Sequence, residues 1–353
     1  MINQLIRNSV EKGATNIHIA PGACPLIRVN GIVRLLEDEQ TLSHDHIMTM
    51  LGELCTESQL DTLNQKGELY FGYSIPEVGR FRVNVLKQRG SYSLSIRILK
   101  LVIPDKSELG LPENLYELLE KGQGLFLVSG ASGTGRSTTI ASLIQHINST
   151  KRVHIMTIES PIEYLFKHDK AIVIQRDVGT DCADFYEGLS SALLHDPDVI
   201  MISEINSESM QDLALKLAEA GKLVIAGYSG INAISALGSF LFSEQAERKQ
   251  IRKHKLASVL LGIISQQLVP SKNNDIRLLG YELLIMNNVV KSNIISDNLS
   301  EIQNTLIAGR RQGMVSMDAS LYEMYSKGAI TKDTLYRYCT DTEVVKRLEK
   351  SLI

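Results

Sequence analysis

Two rhythms of apolar and polar positions run along this chain, and the rhythm changes near residue 100. Before it, Ile2, Leu5, Ile6 and Val10 recur at helical spacing. NIHIA and PLIRVNGIVRLL then alternate as strands, with Asn30-Gly31 as the hairpin turn between the last two. Ile47, Met50, Leu51, Leu54, Leu60 and Leu63 predict helix over residues 43–65. ELYFGYSI, GRFRVNVLKQ and SYSLSIRIL predict three antiparallel strands. Residues 1–100 therefore read as a small α+β domain. Pro104, Gly110 and Pro112 punctuate a linker over 101–112. From 113 to 353 apolar strand-like runs (LFLVSG, VHIMTI, AIVIQ, DVIMIS, KLVIAGYS) alternate with helical stretches near 136, 184–194 and 207–220. That alternation predicts a mostly parallel sheet covered by helices. Residues 245–269 and 296–353 read as further helices, separated by RLLGYELLIMN.

Composition narrows the function classes. The 37 basic and 40 acidic residues leave a net charge of −3, so no global basic field points to nucleic acid. No run of about 18 apolar residues exists to span a bilayer. The first twenty residues carry charges where a signal peptide needs an apolar core, so a cytoplasmic location is expected. Cys24, Cys55, Cys182 and Cys339 show no CxxC spacing, which argues against a structural zinc site and a disulfide framework. The basic run from Arg248 to Lys255 is expected to be the solvated, ring-facing side of a helix. Its apolar side would be Ile251, Leu256, Val259 and Leu260.

The sharpest chemical signal is Gly130-Ala-Ser132-Gly133-Thr134-Gly135-Arg136-Ser137-Thr138, between an apolar run (125–128) and a helical stretch. That is the context of a phosphate-binding P-loop. Its glycines let backbone N–H groups face phosphate, and the helix N-terminus adds partial positive charge. Ser137 stands where a hydroxyl ligates Mg²⁺. Arg136 occupies the position of the usual lysine; it keeps the charge on a longer, planar fork.

With that loop in place, nearly the whole chain resembles the hexameric type II/IV secretion ATPases, and most closely the type IV pilus retraction (PilT-like) ATPases. The resemblance rests on TNIHI, PLIRVNGIVR, GRFRVNV and SIRILK, then GASGTGRSTTIASLIQHIN, IMTIESPIEY, SALLHDPDVIMISEI and AEAGKLVIAGYSG, in the family's order. It implies an α/β chain with a PAS-like α+β N-terminal domain and a RecA-like P-loop C-terminal domain bearing extra C-terminal helices. ATP and Mg²⁺ are the implied cofactors, and a homo-hexamer or a ring mixed with another pilus ATPase is the implied assembly. The implied setting is cytoplasmic, at the inner membrane beneath a pilus, against a platform protein. The short region before the first motif and the absence of a tetracysteine loop favour the retraction type. NVVKSNIIS (288–296) resembles the retraction signature, with Lys291 where arginine is usual.

The resemblance also assigns roles. Glu204 matches the Walker B glutamate that polarises the attacking water or its Mg²⁺, and Glu159 and Glu163 match the acidic box. Arg82 and Arg97, with Arg80 as a less certain third, match arginines that reach the γ-phosphate. Ser132 to Thr138 would hold the nucleotide; Ser137 and Glu204 would hold the metal. Four departures cluster in these motifs: Arg136 for lysine, Ser160 for aspartate, Ser203 for glycine, and Gly227-Tyr228-Ser229-Gly230 for Thr-Leu-His-Thr. His154 and His195 read as ordinary residues at element ends. The function the resemblance implies is a motor that hydrolyses ATP to retract pili; a catalytically weak accessory ring subunit is the alternative, and a secretion or conjugation ATPase with another cargo is disfavoured. The departures favour reduced turnover, because losing one charge-stabilising group costs about 10²–10³ in rate.

Overall fold

A computed structural model describes residues 1–29, 31–36, 40–99, 102–274 and 276–350. The chain divides into two compact units. The first holds Met1–Ile103 with Glu159–Phe166 and Arg176–Ala183; the second holds Pro104–Ile158, Lys167–Gln175 and Asp184–Ile353.

In the first unit, helices Ile2–Glu11, His44–Leu54 and Glu57–Lys66 accompany six strands. The strands are β1 (Asn16–Ile19), β2 (Leu26–Val29), β3 (Ile32–Leu35), β4 (Glu68–Ile75), β5 (Gly79–Gln88) and β6 (Ser91–Leu99). Their order is β3-β2-β1-β6-β5-β4, with each neighbouring pair antiparallel. Ser43 and Thr56 close capping boxes at the two later helices, which fixes where those helices begin. Period-2 alternation buries Phe81, Val83 and Val85 and puts Arg80, Arg82 and Asn84 on the opposite face. On that face Arg82 stands directly across from Arg97. Of the expected turn, Asn30 lies outside the described residues, and Gly31 takes a left-handed φ of 81° that suits glycine.

The second sheet contains β7 (Gly124–Ser129), β8 (His154–Glu159), β9 (Ile172–Asp177), β10 (Val199–Ile205), β11 (Leu223–Tyr228), β12 (Leu260–Pro270) and β13 (Arg277–Ile285). Its order is β13-β12-β7-β11-β10-β8-β9. The pairs β12–β7, β7–β11, β11–β10 and β10–β8 are parallel, and β13 returns antiparallel along β12. β7 and β11 are buried at every position, as expected for strands covered on both faces. This is the α/β architecture with a P-loop strand at its centre, followed by the C-terminal helices Ser300–Ala308, Met317–Ser326, Lys332–Tyr338 and Thr342–Lys350.

Two expectations are corrected. The helix over 245–269 stops at Val259, and LLGIISQQLVP is a strand, β12. A continuous apolar run looks alike in both periods. Gly262 shows the strand's constraint, since a Cβ there would sit 2.5 Å from the Leu284 carbonyl oxygen of β13. The basic run is not solvated throughout either. Ile251, expected on the apolar side, is 59% exposed, whereas Arg252 and Lys253 are buried. Arg252 donates to Asp212, to Glu208 and to the Phe242 carbonyl, and Lys253 pairs with Asp297. Paired partners are what allow these cations inside. The stretch expected as linker carries a one-turn helix, Lys106–Leu109, capped by Asp105; its first residue, Leu101, lies outside the described residues.

Candidate active site

β7 ends at Ser129 and the chain turns sharply at Gly130. A Cβ on Gly130 would overlap the Thr134 hydroxyl and lie 2.7 Å from the Gln266 carbonyl oxygen, so only glycine fits. Gly133 and Gly135 take φ of 82° and 90°, which glycine adopts without strain. Thr134 closes the loop by donating from its hydroxyl to the Ala131 carbonyl at 2.8 Å. Gln266 on β12 donates to the Thr134 carbonyl, also at 2.8 Å. The helix Arg136–Thr150 begins directly after, with Gly135 as an N-cap that offers no side-chain acceptor. Its first-turn N–H groups thus lack a side-chain cap, which is what a phosphate-binding helix start requires. Ser137 and Thr138 lie in that first turn.

Arg136 is held by two neighbours. Its guanidinium donates to the Tyr228 carbonyl at 2.9 Å and to Glu204 Oε1 at 3.2 Å, and its side chain is 17% exposed. Ser229 donates its hydroxyl to the same Glu204 oxygen at 3.2 Å. Tyr228 is itself held, since its hydroxyl accepts from Gln211 at 3.0 Å and its ring packs on Phe240. Beside this, the register between β10 and β11 slips between Ile202 and Ile205. The Ser203 carbonyl there fills the space that a Gly227 Cβ would overlap. Three of the four departures, Arg136, Ser203 and the 227–230 run, thus meet in one packed cluster around Glu204, whereas Ser160 belongs to the first unit.

The turn after β11 is fixed from two sides. Ser129 donates to the Gly230 carbonyl at 2.9 Å, and Glu282 on β13 accepts from the Ala233 N–H at 2.9 Å. Burial pushes the Glu282 carboxyl up from its ordinary value, against the pull of the Ala233 and Met317 N–H groups.

The predicted site residues distribute between the units. Ser132–Thr138 and Glu204 lie in the second, where Glu204 and Arg136 meet directly. Arg82, Arg97, Glu159 and Glu163 lie in the first. Arg97 is exposed, and the Nε of Arg82 is buried without a hydrogen-bond partner. Arg80 is engaged within its own unit: it pairs with Asp177 at 2.6 Å and donates to the Ile162 carbonyl at 3.1 Å. A hollow of about 620 Å³, lined by Lys121, Gln123, Gly124 and Glu219, sits at the opposite end of β7 from the loop and touches none of the motif residues.

A nucleotide fits this loop, and Glu204 stands beside it with one of its two carboxylate oxygens engaged. Glu204 Oε1 already accepts from a guanidinium and a hydroxyl. No group of three metal-ligating side chains exists among the described residues.

The profile of the "Type II/IV secretion system protein" family matches residues 1–343. The chain belongs to that family. It is 31% identical over 332 residues to the "Type IV pilus retractation ATPase PilT" of Pseudomonas aeruginosa, covering 94% of this chain and 96% of that one. It is 34% identical over 328 residues to the same organism's "Type IV pilus ATPase PilU", covering 93% and 86%. Among solved structures, that of "the Pilus Retraction Motor PilT and Bound ADP" superposes with a TM-score of 0.91 at 36% identity, covering 98% of this chain and 99% of that one. The fold is therefore that of a pilus ATPase, with an N-terminal domain and a RecA-like ATPase domain.

Gln266, Gln211 and Glu282 are the members of this neighbourhood that sequence reasoning passes over. A signal existed for the first: Gln266 and Gln267 interrupt an otherwise apolar run, and a polar residue inside a buried strand needs a partner.

Proposed function

We propose that this chain is a nucleotide-binding ring subunit of a type IV pilus machine that hydrolyses ATP slowly and assists an intact pilus ATPase. The family membership and the similarity to PilT and PilU over more than nine-tenths of the chain support the pilus setting. The observation that carries slow turnover is the Arg136–Glu204 ion pair, backed by Ser229. In this reading Ser132, Gly133, Thr134, Gly135, Ser137 and Thr138 hold the phosphates of ATP or ADP. Glu204 orders the attacking water through its remaining oxygen. Glu159, Glu163, Arg82 and Arg97 complete the catalytic set, in the roles the family resemblance gives them. The ring is a homo-hexamer or a mixed ring on the cytoplasmic side of the inner membrane, against a platform protein, and no nucleic acid is involved. Ser137 and Glu204 would hold Mg²⁺, in the roles the family resemblance gives them.

A second reading is a retraction motor in its own right, favoured by the retained P-loop and Glu204. Binding and steady-state hydrolysis of ATP by the purified chain separate the two. The accessory reading expects ADP and ATP to bind, with turnover below about 1 s⁻¹, the low end of ordinary enzymes. Faster turnover, abolished by Glu204→Ala, establishes the motor. Failure of the chain to bind either nucleotide sinks both.

A further inference from the structure

We infer that Gln266 is a positioning residue for the phosphate loop: from β12 it turns the peptide between Thr134 and Gly135 so that its N–H faces the phosphates of a bound nucleotide. The inference rests on the reading that this loop binds a nucleotide.

Peptide geometry supplies the first step. The bond between Thr134 and Gly135 is trans. In a trans peptide the C=O and the N–H point in opposite directions. Gln266 donates from Nε2 to the Thr134 carbonyl at 2.8 Å. Holding that carbonyl against β12 directs the Gly135 N–H away from β12. Gly135 is the N-cap of the helix Arg136–Thr150, at a φ of 90°. Its N–H thus joins those of the first helical turn, where an anion is bound.

β12 seats the loop at both ends. The Gln266 backbone carbonyl oxygen lies 2.7 Å from where a Cβ on Gly130 would stand. Gln266 Nε2 and the Leu268 side chain lie 3.4 and 3.9 Å from the corresponding position on Gly135. With the loop so seated, the side-chain bond sets the orientation of one peptide within it.

The chemistry of the side chain points the same way. Gln266 is 2% exposed, and its Oε1 is buried with no hydrogen-bond partner among the described residues. A buried unpaired amide oxygen is unfavourable, and a methionine of the same length would avoid it. What glutamine adds here is the donor that holds Thr134. Gln267, next along the strand, faces the opposite way. Its Nε2 donates to the Tyr338 carbonyl at 2.9 Å, at the end of the helix Lys332–Tyr338. The two glutamines make the same kind of bond from one strand, the first to the loop and the second to a C-terminal helix.

The test is the affinity of the full chain for a fluorescently labelled ADP in excess Mg²⁺, with inorganic pyrophosphate as competitor. Gln266→Met keeps the side chain's length and loses the donor. Gln266→Asn keeps the amide but is one methylene too short to reach Thr134. Each is expected to weaken ADP by about tenfold or more, the loss of one hydrogen bond to a charged group. Pyrophosphate is expected to weaken by the same factor, because the loss falls on the phosphate half alone. Gln267→Met removes the matching bond on the other face, and both its affinities are expected to stay within about twofold of wild type. Affinities of the Gln266 variants within about threefold of wild type overturn the inference. So does an equal loss in Gln267→Met, which would make the effect one of strand stability. A loss for ADP larger than for pyrophosphate overturns it too, because it marks a general loosening of the pocket. Failure of both Gln266 variants to fold makes Gln266 a core residue and has the same consequence. A wild-type chain that binds neither ligand overturns the nucleotide reading itself, and the inference with it.

Discussion

Gly227 is where a single atom decides how the neighbourhood of Glu204 packs. Any side chain there meets a backbone carbonyl, that of Ser203, rather than a flexible tip. The strand must move to accept it, and overpacking of this kind costs about 1–3 kcal/mol. Gly227→Ala is therefore expected to lower the urea midpoint of the second unit despite alanine's better backbone entropy. An alanine variant as stable as wild type would show that the bulge at Ser203 relaxes freely and that the departures around Glu204 are not packed as one cluster. The same contacts explain why sequence reading treats these positions separately. Arg136 and Glu204 are 68 residues apart, and Ser229 is 25 beyond. The motif identifies each position, but only the fold brings Arg136 onto Glu204. A reading of the sequence alone gives Arg136 to phosphate; the folded chain gives it to a carboxylate and a carbonyl.

Elements with a clear period were legible, and so were the short buried strands β7 and β11, but the longer buried run of β12 was not. The strands of the first unit alternate cleanly because one face is buried and the other polar, and their ends match the sequence runs closely. β12 has no such contrast: seven buried residues in succession read equally well as helix, and the helix before it lent its period to the strand. The Arg248–Lys255 helix misled for the opposite reason. Charge predicts exposure only when no partner waits inside, and Glu208, Asp212 and Asp297 wait for Arg252 and Lys253. Glu282 belongs to this scale, because its buried carboxyl joins β13 to the starts of two helices through Ala233 and Met317. Burial raises its folded-state value above the ordinary 4.5. The folded chain thus takes up this proton at a higher pH than the unfolded chain does. The stability it contributes is full below about 4.5 and is lost as pH rises through the folded value. Glu208 and Asp297 are shifted downward by their cationic partners, and their contribution is lost instead as pH falls. A Glu282→Gln variant separates the two trends. The melting-temperature gap of wild type over the variant is expected to widen as pH falls from 7 towards 4.5. A gap that stays constant would show that the carboxyl titrates alike in both states.

At the scale of the whole molecule, the chain does not hand over once from one unit to the next. Residues 159–166 and 176–183 leave the second unit's sequence and cluster with the first, while 167–175 stays with the second. A single break near residue 100, as hydropathy suggests, misses these excursions because they are short and carry no composition shift. Arg80 is the residue that ties both excursions to the first sheet. It donates to the Ile162 carbonyl in one and pairs with Asp177 in the other, and the side chains of this pair are 12% and 7% exposed. Removing one partner of such a pair leaves a buried charge unmatched, at about 3–5 kcal/mol. Part of that cost should appear as local opening before it appears as global unfolding. Arg80→Met is therefore expected to speed amide hydrogen exchange in 159–166 and 176–183 together. Exchange in 167–175, which packs with the second unit, should stay near the wild-type rate. Adding Asp177→Asn to Arg80→Met should then cost little more, since the second substitution removes the carboxylate that the first left unpaired. If exchange rose evenly across 159–183, or the two substitutions destabilised independently, Arg80 would be an ordinary strand residue and the excursions would be held by their apolar contacts alone.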